Sequence, residues 1–535
     1  MKTKPKYIFK IADHEEEFKQ IHRLNYDTFV HEIPQHSQND IGLLIDRFHS
    51  ENTYLICIRD KEVIGMIAIR GERPFSLDGK IGPVEKALPV KVNRLCEIRL
   101  LSIRKEYRKG RVFLGLIRLL AQYGLKKGYD ATVISGTTRE LKLYTQMGFL
   151  PFADITGNED ASFQPMYLTK QRFEEIISRK FTSSFCSFIP GPMNVSAEVR
   201  KQLASQPVSH RSEECRVLMD EVRNSLCELA NARYAQVLLG SGTLANDAIA
   251  GQLSKLPGKG LILVNGEFGS RLKDHAARFS LEYYTYEKKW GEAFHIEELQ
   301  KVLQQDISWI WMVHCETSTG LLNPLEDVKK IALENGLFLC ADCISSFGAV
   351  PVDLKGVYLA SAVSGKALKA YTGLSFVFHN HEIGTSATLP RYLDLGSYFS
   401  NGSVPFSHSS NLLKALQVSL LERKKDTFIR IQSHSEYVRN QLKHLNITFI
   451  GDEKHLSPII LAIQMPSSVH SFNFGRTLEF QGCIIHYASS YLQERNWLQI
   501  SFINTDQEEH YKQLVDLFTE IFEYETSLRM LDTVK

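Results

Sequence analysis

No stretch of this sequence approaches the ~20 unbroken apolar residues that cross a bilayer, so no membrane span is expected. The start, MKTKPKYIFKIADHEEEF, turns acidic before the apolar core of a secretory signal could form, and a cytoplasmic location is expected. An excess of charge of one sign is also missing. Lys and Arg number 63 against 61 Asp and Glu, a net +2, so charge alone implies no nucleic-acid partner. The nine cysteines are scattered, as suits a reducing compartment. Only Cys340 and Cys343 are close; their Cys-x-x-Cys spacing leaves a redox pair open, although they flank Asp342 on an apolar run that reads as a buried strand. With no second cysteine pair to complete a zinc site, no metal is expected. Internal repeats and low-complexity tracts are absent too.

What is present is length: 535 residues exceed the roughly 250–300 that one core supports, so at least two domains are expected. Over residues 1–180, TYLICIRD and EVIGMIAIR read as a hairpin turning at Asp60 to Glu62. The strand EIRLLSI then runs into a basic turn, Arg104 to Arg111, and a helix ended by Gly128. A Ser-rich stretch, FTSSFCSF from Phe181, precedes Pro190-Gly191-Pro192 and marks a linker. From 181 to 535 apolar strands alternate with helices, which predicts an α/β domain with a mostly parallel sheet at about 200–400 and a small α+β lobe at about 411–535.

Three pieces of chemistry lie in that second part. Gly240-Ser241-Gly242-Thr243, between a strand and a helix, supplies the backbone donors that a phosphate needs, or is plain punctuation. Asp342 ends the buried run LFLCA, where a carboxylate calls for a cationic partner such as a protonated pyridine; a helix cap or a salt bridge is the bland reading. Lys366 stands among small residues in SAVSGKALKAYTGLSF, where a lysine can lose its proton and attack an aldehyde, with Lys369 competing on proximity.

In order and spacing, FIPGPMNVS, VSHRS, GSGTLANDA, NGEFGSR, HCETSTGLLNP, ADCISSFGAVPVD and SGKALKAYTGLSF resemble the class V aminotransferases of fold type I, especially the alanine-glyoxylate, serine-glyoxylate and 2-aminoethylphosphonate transaminases. The resemblance implies pyridoxal 5'-phosphate carried by Lys366, which lies seven residues before Gly373, with Asp342 on the pyridinium nitrogen. It further implies Ser241, Gly242 and Thr243 on the phosphate, Phe268 stacked on the ring and Thr317 near the ring hydroxyl. A homodimer is implied as well, in which Ser403 reaches the partner's phosphate. The family's substrate-carboxylate arginine falls on WLQISFIN, which places Gln499 there as the substrate-binding residue.

The hairpin, EIRLLSI, the basic turn and LYTQMGF resemble the GNAT acyltransferases, and RLNYDTFVHE is similar to their N-acyl amino acid and acyl-homoserine-lactone synthase branch. The resemblance implies an acyl-CoA or acyl-carrier-protein donor held at Arg108 and Gly110, with Tyr144 protonating the leaving thiolate. The two halves together imply a bifunctional enzyme that transaminates a small amine or amino acid/keto substrate and N-acylates from an acyl thioester. The alternative keeps the cofactor for decarboxylation, elimination or carbon-carbon bond formation, with an N-terminal domain that only binds its thioester.

Overall fold

A computed structural model describes residues 7–33, 35–108, 110–157, 162–176, 185–303 and 305–532. Residues 181–184 of the expected linker, and Lys109 of the basic turn, lie outside the described residues. The chain forms two compact units. The first holds residues 1–185, 476–483 and 520–535; the second holds 186–475 and 484–519.

β-Branched and aromatic residues build the first unit's eight-stranded sheet. Strands Thr53–Arg59 and Glu62–Arg70 pair antiparallel with Arg59 opposite Glu62, so Asp60 and Lys61 form a two-residue turn, both at positive φ (51° and 67°). The helix Arg111–Lys127 lays Val112, Leu116 and Leu119 over this sheet and ends at left-handed Gly128. Strand Leu95–Ile103 runs parallel to Ala131–Thr137, but the pairing stops at Ile98 and Ile134. Beyond that point the two strands part, and Ser135 and Gly136 are left without a partner from Leu95–Ile103.

A boundary at 180 alone does not capture this unit. Lys10 is fully buried, with Nζ 2.6 Å from Asp13, 2.9 Å from Glu17 and 2.7 Å from Glu525. The Tyr524 hydroxyl donates to Glu17 at 2.7 Å. Burial by itself would strip Lys10 of its proton, yet the three carboxylates hold it charged, well above the ordinary lysine value. Tyr524 and Glu525 are therefore part of the first unit's core.

The second unit carries a seven-stranded sheet in the order Tyr234–Leu239, Leu374–His379, Leu359–Val363, Phe338–Asp342, Ile307–Val313, Lys259–Val264, Tyr283–Glu287. Only Leu374–His379 runs against its neighbours. Helices on both faces bury the strands, with Trp309 and Trp311 at the centre of the core. A three-stranded antiparallel sheet, Thr448–Phe449, Ile460–Gln464 and Trp497–Ser501, is also in this unit. The α/β class and the mostly parallel sheet match the sequence expectation. No helix among the described residues is long and apolar enough to cross a membrane.

Candidate functional site

Ligands of parallel α/β sheets bind beyond the carboxyl ends of the strands, and four such ends of the second unit's sheet meet at one cavity. Tyr234–Leu239 leads into the helix Gly242–Leu253, whose cap, Ser241, makes no side-chain capping bond. The first amides of that helix are thus available to an anion. Lys259–Val264 leads into the helix Glu267–Arg278, which carries Phe268, Arg271 and His275 on successive turns. Asp342 is the last residue of Phe338–Asp342, and Lys366 follows Leu359–Val363 by three residues. Gly242, Thr243, Asn246, Phe268, Asp342 and Lys366 line one concave cavity.

Each of these side chains is held by its neighbours. Asn246 donates to Asp342 Oδ2 at 2.8 Å and accepts from the Ser361 hydroxyl at 2.7 Å, while the Ile344 amide donates to Asp342 Oδ1 at 2.9 Å. Burial nevertheless pushes the Asp342 carboxyl up, against the pull of Asn246 and Ile344. The same burial pushes the Lys366 amine down, against the weaker influence of Cys315 and Asp342. Nζ of Lys366 makes no hydrogen bond to a described residue. Lys369, its rival, pairs with Asp506 at 2.9 Å and is not on the cavity wall.

Phe268 is positioned by Glu316, a fully buried carboxylate that receives the amides of Phe268 at 3.3 Å and Gly269 at 2.9 Å and the Ser318 hydroxyl at 2.5 Å. Glycine is needed at 266 because a Cβ there would lie 2.5 Å from the Glu316 side chain. The arrangement fits pyridoxal phosphate: helix amides for its phosphate, a ring platform at Phe268, a carboxylate facing a cationic ring nitrogen, and an amine without a partner for its aldehyde.

Four residues singled out in the sequence stand elsewhere. Ser241 caps its helix but is not on the cavity wall, and Thr317 is buried in the turn after Glu316. Ser403 is buried in its own chain, donating to Gln236 at 2.8 Å and accepting from the Val237 amide at 3.2 Å. Gln499 is engaged within the chain. Its amide donates to the carbonyls of Thr317 at 2.6 Å and Ser318 at 2.9 Å, and its oxygen accepts from His486 Nδ1 at 2.9 Å and the Tyr491 hydroxyl at 3.4 Å. All four of its hydrogen-bonding positions are taken, so it has nothing left for a substrate. The sequence reading missed Asn246, Arg271 and His275, although each follows a quoted motif residue at helical spacing.

In the first unit, Tyr144 packs on Gly136, where the two central strands part. Burial pushes its phenol up, against a hydrogen bond from Thr137. Gly110 starts the helix Arg111–Lys127 at φ 93°, with no side-chain cap over the first amides. Arg108 is engaged, donating to the Ile103 carbonyl at 2.8 Å and to Glu32 at 2.6 Å.

Comparison with known proteins follows this division. Residues 193–410 match the family described as aminotransferase class-V, and residues 20–170 match N-acyl amino acid synthase FeeM. A 2-aminoethylphosphonate–pyruvate transaminase of Bacillus mycoides strain KBAB4 is 29% identical over 305 residues, covering 53% of this chain and 83% of its own. A bifunctional phosphonoacetaldehyde hydrolase/aminoethylphosphonate transaminase of Clostridioides difficile is 28% identical over 304 residues, 52% of this chain and 47% of its own. The crystal structure of an alanine–glyoxylate aminotransferase from Nostoc sp. superposes with a TM-score of 0.57 at 27% identity, covering 64% of this chain and 96% of that one.

Proposed function

We propose that the chain carries two activities that act in series, the second unit producing an amine by transamination that the first unit acylates, a reading supported by the match of residues 193–410 to aminotransferase class-V and of residues 20–170 to N-acyl amino acid synthase FeeM. The observation that supports the aminotransferase site is the cavity in which Lys366, an amine whose pKa burial lowers, shares a wall with the buried Asp342.

Bound pyridoxal phosphate would supply an electron sink that makes the substrate's α-carbon hydrogen acidic. The chain's residues do the rest. The amides of Gly242 and Thr243 hold the phosphate, Phe268 supports the ring face, and Asp342, fixed in orientation by Asn246 and Ile344, keeps a proton on the ring nitrogen. Lys366, whose proton burial loosens, accepts the α-proton and returns it one position away, which is the shift that transamination requires. The relatives named for 2-aminoethylphosphonate and pyruvate make aminoalkylphosphonates and small amino acids the first donors to test.

In the first unit we assign a GNAT-like mechanism. The edge of Ser135 and Gly136 that Leu95–Ile103 leaves open receives the pantetheine arm, the acceptor amine attacks the acyl carbonyl and loses a proton to solvent, the carbon–sulfur bond breaks, and Tyr144 gives its proton to the departing thiolate. The donor is an acyl-CoA or acyl-carrier protein, and the enzyme works as a cytoplasmic homodimer.

The test incubates the holoenzyme with single amino donors and follows the cofactor by absorbance and mass spectrometry. Conversion to pyridoxamine phosphate with release of a carbonyl product is expected. Carbon dioxide evolved from the donor, with the cofactor unchanged, would replace transamination by decarboxylation.

A further inference from the structure

We propose that Arg271 anchors the carboxylate of the amino donor and of the keto acid it exchanges with, a role that rests on the assignment of the Lys366 cavity as the aminotransferase site. A carboxylate entering a partly dehydrated cavity needs a cationic, hydrogen-bonding partner, and the planar fork of arginine suits it best. Gln499, on the strand Trp497–Ser501, is neutral and fully engaged by Thr317, Ser318, His486 and Tyr491.

Three basic side chains line the cavity among the described residues: Lys366, His275 and Arg271. Lys366 is the reacting amine. His275 is committed through Nδ1 to Asp247 at 2.6 Å. Arg271 remains. It projects from the helix Glu267–Arg278 one turn past Phe268, with its guanidinium 4.9 Å from that ring's centre. Tyr491 donates its hydroxyl to Gln499 at 3.4 Å, and Arg271 is among the charges that act on its phenol, after burial and the Glu316 and Glu267 carboxylates. Arg271 thus offers a cation to the substrate end that Gln499 leaves without one.

The present partner of Arg271 does not hold it firmly. Glu267 lies one turn earlier at 3.2 Å, with the two side chains 32% and 58% exposed. Such an exposed pair on one helix is weak because solvent screens it, so a substrate carboxylate can share or displace it.

The experiment uses the full-length holoenzyme and its Arg271→Gln and Arg271→Lys variants. Half-reaction kinetics with L-alanine are read beside inhibition by propionate, and pyridoxal phosphate affinity is measured separately by calorimetry. Arg271→Gln should raise the KM for alanine and the inhibition constant of propionate together by about 10- to 100-fold, with kcat and cofactor affinity little changed. Arg271→Lys, which keeps the charge but loses the fork, should fall between. An unchanged alanine KM overturns the assignment, as does a loss confined to cofactor affinity, which would place Arg271 on the phosphate instead. Failure of the unaltered protein to take up pyridoxal phosphate would bring down the site assignment and this proposal with it.

Discussion

At the scale of single residues, the decisive fact is which polar groups are already satisfied. Gln499 ties the distant turn at Thr317 and Ser318 to the nearby His486 and Tyr491. Gln499→Leu should therefore leave two buried carbonyls unpaired and lower stability by about 1–3 kcal/mol, measured by urea denaturation, with little change in the KM of any donor. Asp342 gives a prediction with a sign. Its folded pKa is raised by burial, so folding favours the protonated form. That contribution is present below the ordinary carboxylate range and lost as pH rises through the raised value. Cofactor-stripped protein should lose melting temperature between about pH 5 and about pH 8 more steeply than Asp342→Asn does, as followed by differential scanning fluorimetry. Parallel slopes would show that Asp342 is not neutralised in the empty site. These residues also mark what a sequence discloses. Asp342, Lys366 and Gly242 were legible because each sits at a strand end or a strand-to-helix turn, where local pattern and motif spacing agree. Gln499 and Ser403 were not, because saturation of a side chain depends on partners that only the folded chain brings together.

At the scale of elements, the same limit applies to the end of the chain. The helix Glu508–Asp532 shows an apolar stripe in its sequence, but a stripe does not say which core it completes. The answer lies in Lys10, whose burial is tolerable only with Asp13, Glu17 and Glu525 around it. Removing one partner from such a group leaves unbalanced buried charge. Lys10→Met should destabilise the first unit by about 3–5 kcal/mol. Arg104→Met, which breaks a surface pair with Glu62, should cost no more than about 1 kcal/mol. Deleting residues 520–535 should damage the first unit's acyl transfer while the second unit still binds pyridoxal phosphate. Equal sensitivity of the two activities to this deletion would contradict the assignment of those residues to the first unit.

At the scale of the whole molecule, the two chemistries complement each other. Transamination turns a carbonyl into a primary amine, and acyl transfer consumes a primary amine without needing to know how it arose. The acylated product therefore requires both sites but not both in the same polypeptide, provided that the amine leaves the first site it visits. Lys366→Ala should fail on carbonyl substrate, amino donor and acyl thioester together, yet acylate the amine when it is supplied. Tyr144→Phe should make the free amine and acylate it slowly, by about 10²–10⁴-fold if the phenol is the general acid. Mixed in equal amounts, the two variants should restore acylated product after a lag during which free amine accumulates, read by mass spectrometry. The intact chain should show a shorter lag, because a tether raises the effective concentration of one site's product at the other. A mixture that accumulates amine but never acylates it would mean that the two activities do not share this intermediate, and the series order would have to be abandoned.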